Sequence, residues 1–108
     1  MDWIGTWRNQ YDSTVTITDD RDGRLAGTFR TAIGSSPFFG ADVPVLGVHG
    51  GLTASFSSAV PDGDGYAVCY TGKLEGDRLE TLWFVVAGER DWWQSVTTNH
   101  DTFVRDPD

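Results

Sequence analysis

From Gly5 to Arg105 the chain alternates apolar and polar residues in short runs, and no stretch of useful length repeats its apolar positions every three or four residues. A period of two puts successive side chains on opposite faces of an extended strand, so sheet is the only regular structure that lets this pattern bury one face. The reading is all-β. Gly5–Tyr11 places Trp7, Asn9 and Tyr11 on one face, and Ser13–Thr18 places Ser13, Val15 and Ile17 there. After the Asp22-Gly23 turn, Arg24–Ile33 directs Leu25, Gly27, Phe29 and Thr31 inward. Val43–His49 and Leu52–Ser58 follow, joined by Gly50-Gly51; then come Tyr66–Leu74, Leu79–Ala87 and a last run from His100 to Arg105. Eight short strands joined in sequence by turns predict an eight-stranded antiparallel up-and-down β-barrel, closed so that no edge remains and wide enough for one small ligand.

At 108 residues the chain suits one domain, spanning 1–108. Its net charge of −8 repels nucleic acid and anionic membrane, which excludes both as expected partners. A single cysteine, Cys69, forms no internal disulfide, so stability must come from packing, sheet closure or assembly. No run of 18 apolar residues and no signal-like start is present, and the compartment is left open between cytoplasmic and secreted after processing.

The inward faces together put Trp7, Asn9, Ser13, Phe29, Thr31, Val68, Tyr70, Trp83 and Asp101 in the lumen. Asn and Ser donate to a carbonyl-type oxygen while an ionised Asp only accepts, so this set suits a ligand that offers both C=O and N–H, such as a urea or amide ring. Leu79–Ala87 is apolar on both faces. Leu82, Phe84 and Val86 on the outer side predict cover by another subunit. The loop 34–42, with Phe38 and Phe39 at its tip, reads as a lid or as a segment packed on a partner. Cys69 points outward, His49 has no evident acid partner, and His100 and Asp101 oppose each other across the sheet, so neither catalysis nor a metal site is expected.

Several blocks resemble the avidin/streptavidin family of biotin-binding proteins. They are Gly5-Thr6-Trp7-Arg8-Asn9-Gln10 with Ser13-Thr14, Asp22-Gly23-Arg24-Leu25-Ala26-Gly27-Thr28-Phe29, Ala32-Ile33-Gly34, Tyr70-Thr71-Gly72, Thr81-Leu82-Trp83 and Asn99-His100-Asp101-Thr102-Phe103. The resemblance implies a non-catalytic barrel that sequesters biotin and needs no cofactor. It implies that Asn9 and Ser13 donate to the ureido oxygen, with Phe29 where a third donor, a tyrosine, normally stands. Asp101 and Thr31 would accept the two ureido N–H groups. Trp83 matches the box tryptophan under the bicyclic ring, and Trp7 has a box role in some members. Tyr70 replaces a second box tryptophan, and Phe56 a third, with Val60 at that place if the alignment slides by four.

Trp93 matches the tryptophan lent to a neighbouring subunit, and Ser35 a polar group near the ligand carboxylate. Val68 and Tyr66 stand where a threonine and a serine would meet the sulfur and the carboxylate. Because each lost hydrogen bond costs about 1 kcal/mol, these departures imply weaker binding than in the tightest members. A homo-oligomer is implied, a tetramer favoured, with polar Thr97 and Thr98 keeping a dimer open. Two other readings stand beside this one: a barrel for a different amide- or urea-bearing ligand, and an oligomeric scaffold whose lumen is filled by its own side chains.

Overall fold

The computed structural model describes residues 2–35, 39–61 and 63–107. Among these, eight strands form one closed antiparallel barrel in which each strand pairs with its neighbours in sequence and β8 returns to β1. They are β1 (Gly5–Asn9), β2 (Thr14–Arg21), β3 (Arg24–Arg30), β4 (Val43–Gly50), β5 (Thr53–Val60), β6 (Tyr66–Glu75), β7 (Arg78–Ala87) and β8 (Val96–Arg105). The expected architecture is therefore the observed one. Asp12 and Asp22 adopt left-handed backbone at φ 68° and 53°, conformations that short acidic side chains tolerate, and they reverse the chain into β2 and β3. At Gly27 and Gly72 a Cβ would run into the carbonyl oxygens of Thr16 and Glu80 on the adjacent strands, so the close strand approach there requires glycine.

The alternation does its predicted work. Val15, Ile17, Leu25, Val43, Val45, Ala54, Phe56, Leu74, Leu79 and Phe103 fill the interior. One end of the barrel is closed by a segment that alternation does not mark. Residues 2–4 fold beneath the strands and bury Trp3 to 1% exposure, its ring 5.7 Å from that of Trp7 and 5.8 Å from that of His49. Trp7 Nε1 donates to the Trp3 carbonyl at 3.0 Å, and Arg105 lies over the Trp7 ring at 4.6 Å while donating to the carbonyls of Ile4 and Asp2. Trp7 thus belongs to the floor.

Several boundaries differ from expectation, β2 running on to Arg21 and β5 to Val60 among them, and three of the differences have a visible cause. β1 stops at Asn9 because the Asn9 side chain turns the chain: its Oδ1 accepts from the backbone N–H groups of Tyr11 and Ser13, both at 3.0 Å. β3 ends at Arg30, which leaves Thr31 beyond the strand yet buried. β8 begins at Val96, four residues before the expected His100, because Thr97 and Thr98 pair with Val85 and Phe84 and a short 3-10 turn at Trp92–Gln94 takes up the connection. The seam between β1 and β8 is brief, pairing only Trp7, Arg8 and Asn9 with Arg105, Val104 and Phe103, whereas β6 and β7 pair from Tyr66–Ala87 to Glu75–Arg78. Phe39 is exposed, and Phe38 lies outside the described residues.

Candidate ligand-binding site

At the end of the barrel opposite Trp3, a cavity of about 140 Å³ is lined by Asn9, Ser13, Phe29, Thr31, Tyr70, Trp83 and Asp101, with Tyr11, Ile33, Val68 and Val85 completing the wall. Its polar groups come from the ends of β1, β2 and β3 and from the middle of β8. Burial among apolar walls obliges them to bond one another. Asn9 Nδ2 donates to Asp101 Oδ2 at 3.0 Å, and Gln10 Nε2 donates to Asp101 Oδ1 at 3.2 Å. Ser13 Oγ accepts from the Ala32 N–H at 2.9 Å and lies 3.3 Å from Thr31 Oγ1, which accepts from the Ile33 N–H at 3.2 Å.

An inventory of what remains defines the chemistry. Asn9 retains a second amide hydrogen, the Ser13 and Thr31 hydroxyls share one hydrogen between them and have another to give, and the Asp101 carboxylate has spare lone pairs. The arrangement can therefore donate to one carbonyl oxygen and accept from N–H groups beside it. It makes no attack geometry: among the described residues no nucleophile and base converge here, and Cys69 lies in an outer groove beside Ser57 and Phe84.

Aromatic rings set the shape. Tyr70 sits between Phe29 and Phe56, with ring centroids at 6.0 Å and 5.2 Å, and Phe103 meets it edge-on at 5.6 Å. Trp83 is half-buried on the cavity wall, and its indole N–H is buried without a hydrogen-bond partner among the described residues. Burial, followed by the nearby Asp101 charge, pushes the Tyr70 phenol well above its ordinary value of 10.0. The unfolded chain releases this proton near pH 10 and the fold does not. The contribution is thus intact below about pH 10, and stability falls by about 1.4 kcal/mol per pH unit above it. Denaturant midpoints between about pH 9 and pH 11 will show that decline, and Tyr70→Phe will flatten it.

Three anticipated site residues are not in this cavity. Phe56 is buried beneath Tyr70 in the core rather than on the wall, because its strand position is one layer deeper; Val60 is partly buried at the rim. Ser35 is exposed in the loop after β3. Trp93 stands 78% exposed in the turn before β8, outside the cavity. His49, expected to lack an acid partner, bonds Asp20 Oδ1 at 2.8 Å, because the β4 and β2 ends meet beside the Trp3 floor. Asp101 does not pair with Arg105, which is occupied at that floor.

Gln10 is the polar residue that pattern reading missed. Alternation assigns it to the outer face, yet it stands just past the end of β1, where its amide reaches both Asp101 and the Thr102 N–H, the latter at 3.0 Å. Its place beside the Asn9 turn was the available signal.

The closed eight strands, each paired with its sequence neighbours, with an aromatic and hydrogen-bonding cavity at the open end, define an up-and-down barrel of the small-ligand-binding class. The model of the avidin family matches residues 1–106, and the chain belongs to that family of non-catalytic biotin-binding proteins. The solved structure of core-bradavidin is 29% identical and superposes with a TM-score of 0.79, covering 94% of this chain and 97% of the other. The rhizavidin–biotin complex shares the fold at 21% identity and a TM-score of 0.84, covering 99% and 94%. Apo shwanavidin does so at 20% identity and 0.84, covering 98% of each chain.

Proposed function

We propose that this barrel binds biotin through its ureido head and acts by sequestration. The observation that carries the reading is the convergence of Asn9, Ser13, Thr31 and Asp101 on one small cavity beside Trp83. Donors for a carbonyl and acceptors for the flanking N–H groups are the complement of a cyclic urea. Solved relatives of the same fold include biotin complexes of rhizavidin and bradavidin2, which is consistent with this complementarity. Ser35 is exposed outside the cavity and is the weakest of these assignments, and Phe56 acts by backing Tyr70.

Affinity is expected below that of the tightest family members. Phe29 has no hydroxyl to give, Val68 offers only a methyl face, and the cavity is smaller than the roughly 300 Å³ at which small-molecule pockets begin, so the head is enclosed and the tail is not. Isothermal titration with biotin tests the reading. Heat of binding and a raised melting temperature at saturation are expected; neither effect at millimolar biotin would refute it.

The outer surface supports assembly. Leu46, Leu82 and Phe84 are exposed at 71%, 59% and 46%, an apolar face larger than a lone barrel needs. We infer a homo-oligomer built on this face, with Trp93 reaching a neighbour's cavity. Sedimentation at micromolar concentration will give a dimer or tetramer mass, and Phe84→Asp will reduce it. A monomer in the parent chain would exclude both the assembly and the Trp93 role.

A further inference from the structure

We infer that the mouth of the cavity selects against an anionic tail, so that the preferred ligand is the ureido head joined through an amide to a neutral or cationic chain rather than the free acid. This rests on the proposed binding of the head. Position fixes where a tail must pass. Tyr66 follows Val68 and Tyr70 outward on the same face of β6, and Glu89 stands in the turn two residues beyond the end of β7, the strand that gives the wall Trp83 and Val85. They are joined there, the Tyr66 hydroxyl donating to Glu89 Oε1 at 2.9 Å.

That hydrogen bond decides what the rim can offer. The phenol's hydrogen is already given to a carboxylate, so a ligand carboxylate arriving beside it meets the Glu89 charge rather than a free donor. None of the eleven wall residues is Arg or Lys. The loops around this end carry Asp12, Asp64, Glu89 and Asp91 against Arg90, while Arg8 and Arg30 are held in ion pairs by Asp106 and Asp42, each at 2.8 Å. The field where the tail emerges is therefore negative.

The same head on three tails tests this: biotin, biotinamide and a biotin–ethylenediamine amide bearing an ammonium, titrated at low and at high salt. The expected order of affinity at low salt is ammonium, then amide, then carboxylate, each step about threefold, as for unit charges several ångströms apart in a largely solvated rim. The steps will shrink as salt screens them. Glu89→Gln, which keeps an acceptor for the Tyr66 hydroxyl, will bring the amide-to-acid ratio toward one. Biotin binding as tightly as biotinamide at low salt, or a ratio insensitive to both salt and Glu89→Gln, would overturn the inference while leaving the head-group reading intact. Failure of all three ligands to bind would refute the head-group reading and this one with it.

Discussion

Replacing Asp101 with alanine is expected to weaken biotin binding by about one to two orders of magnitude, the loss of a hydrogen bond to a charged acceptor worth roughly 1.5–3 kcal/mol. Among the described wall residues the carboxylate is the one charged group; it is 5% exposed and is held in place by the amides of Asn9 and Gln10. Removing it deletes the acceptor for a ligand N–H and leaves two amides without their partner. Asp101→Asn separates these effects: the shape is kept, but an amide now opposes the donors of Asn9 and Gln10, so binding should fall there too. Titration calorimetry on folded protein, verified by circular dichroism, is the measurement. An affinity within threefold of the parent chain would remove Asp101 from the site.

Trp3→Ala is expected to cost about 3–5 kcal/mol of stability, the range for emptying a fully buried aromatic position. Trp3 is 1% exposed and fills the space between Trp7 and His49, so its loss opens the barrel floor beside a row of apolar side chains. Urea unfolding will report this as a lower midpoint with little change in slope. Because the ligand cavity lies at the opposite end, biotin affinity of the protein that remains folded should change little. A loss below about 1 kcal/mol would mean that the segment 2–4 is not a packed floor.

The barrel was legible because closure requires little more than an even number of alternating strands joined by short turns, and those signals are local. The wall of the candidate cavity was legible for the same reason: Asn9, Ser13, Phe29, Tyr70, Trp83 and Asp101 all occupy inward positions whose parity the pattern fixes. What the pattern could not carry was anything set by how the strands tilt against one another. Phe56 has the right parity but the wrong depth, and becomes a support for Tyr70. Gln10 has the wrong parity, but the chain has left the strand by then and parity no longer applies. Trp3 precedes the first alternating run, and His49 meets Asp20 across strands distant in sequence, so neither contact leaves a periodic trace.

The short seam between β1 and β8 bears on how a ligand is held. With three paired positions it is the shortest strand pairing in the barrel, extended by the Asp106 N–H donating to the Thr6 carbonyl at 2.7 Å. At the cavity end the two strands are joined by side chains, Asn9 and Gln10 from one edge gripping Asp101 and Thr102 of the other. A urea held by Asn9 and Asp101 at once becomes a further rung of that ladder. Binding and the stability of the seam are then coupled: a ligand that bridges the two edges opposes their parting while it is bound.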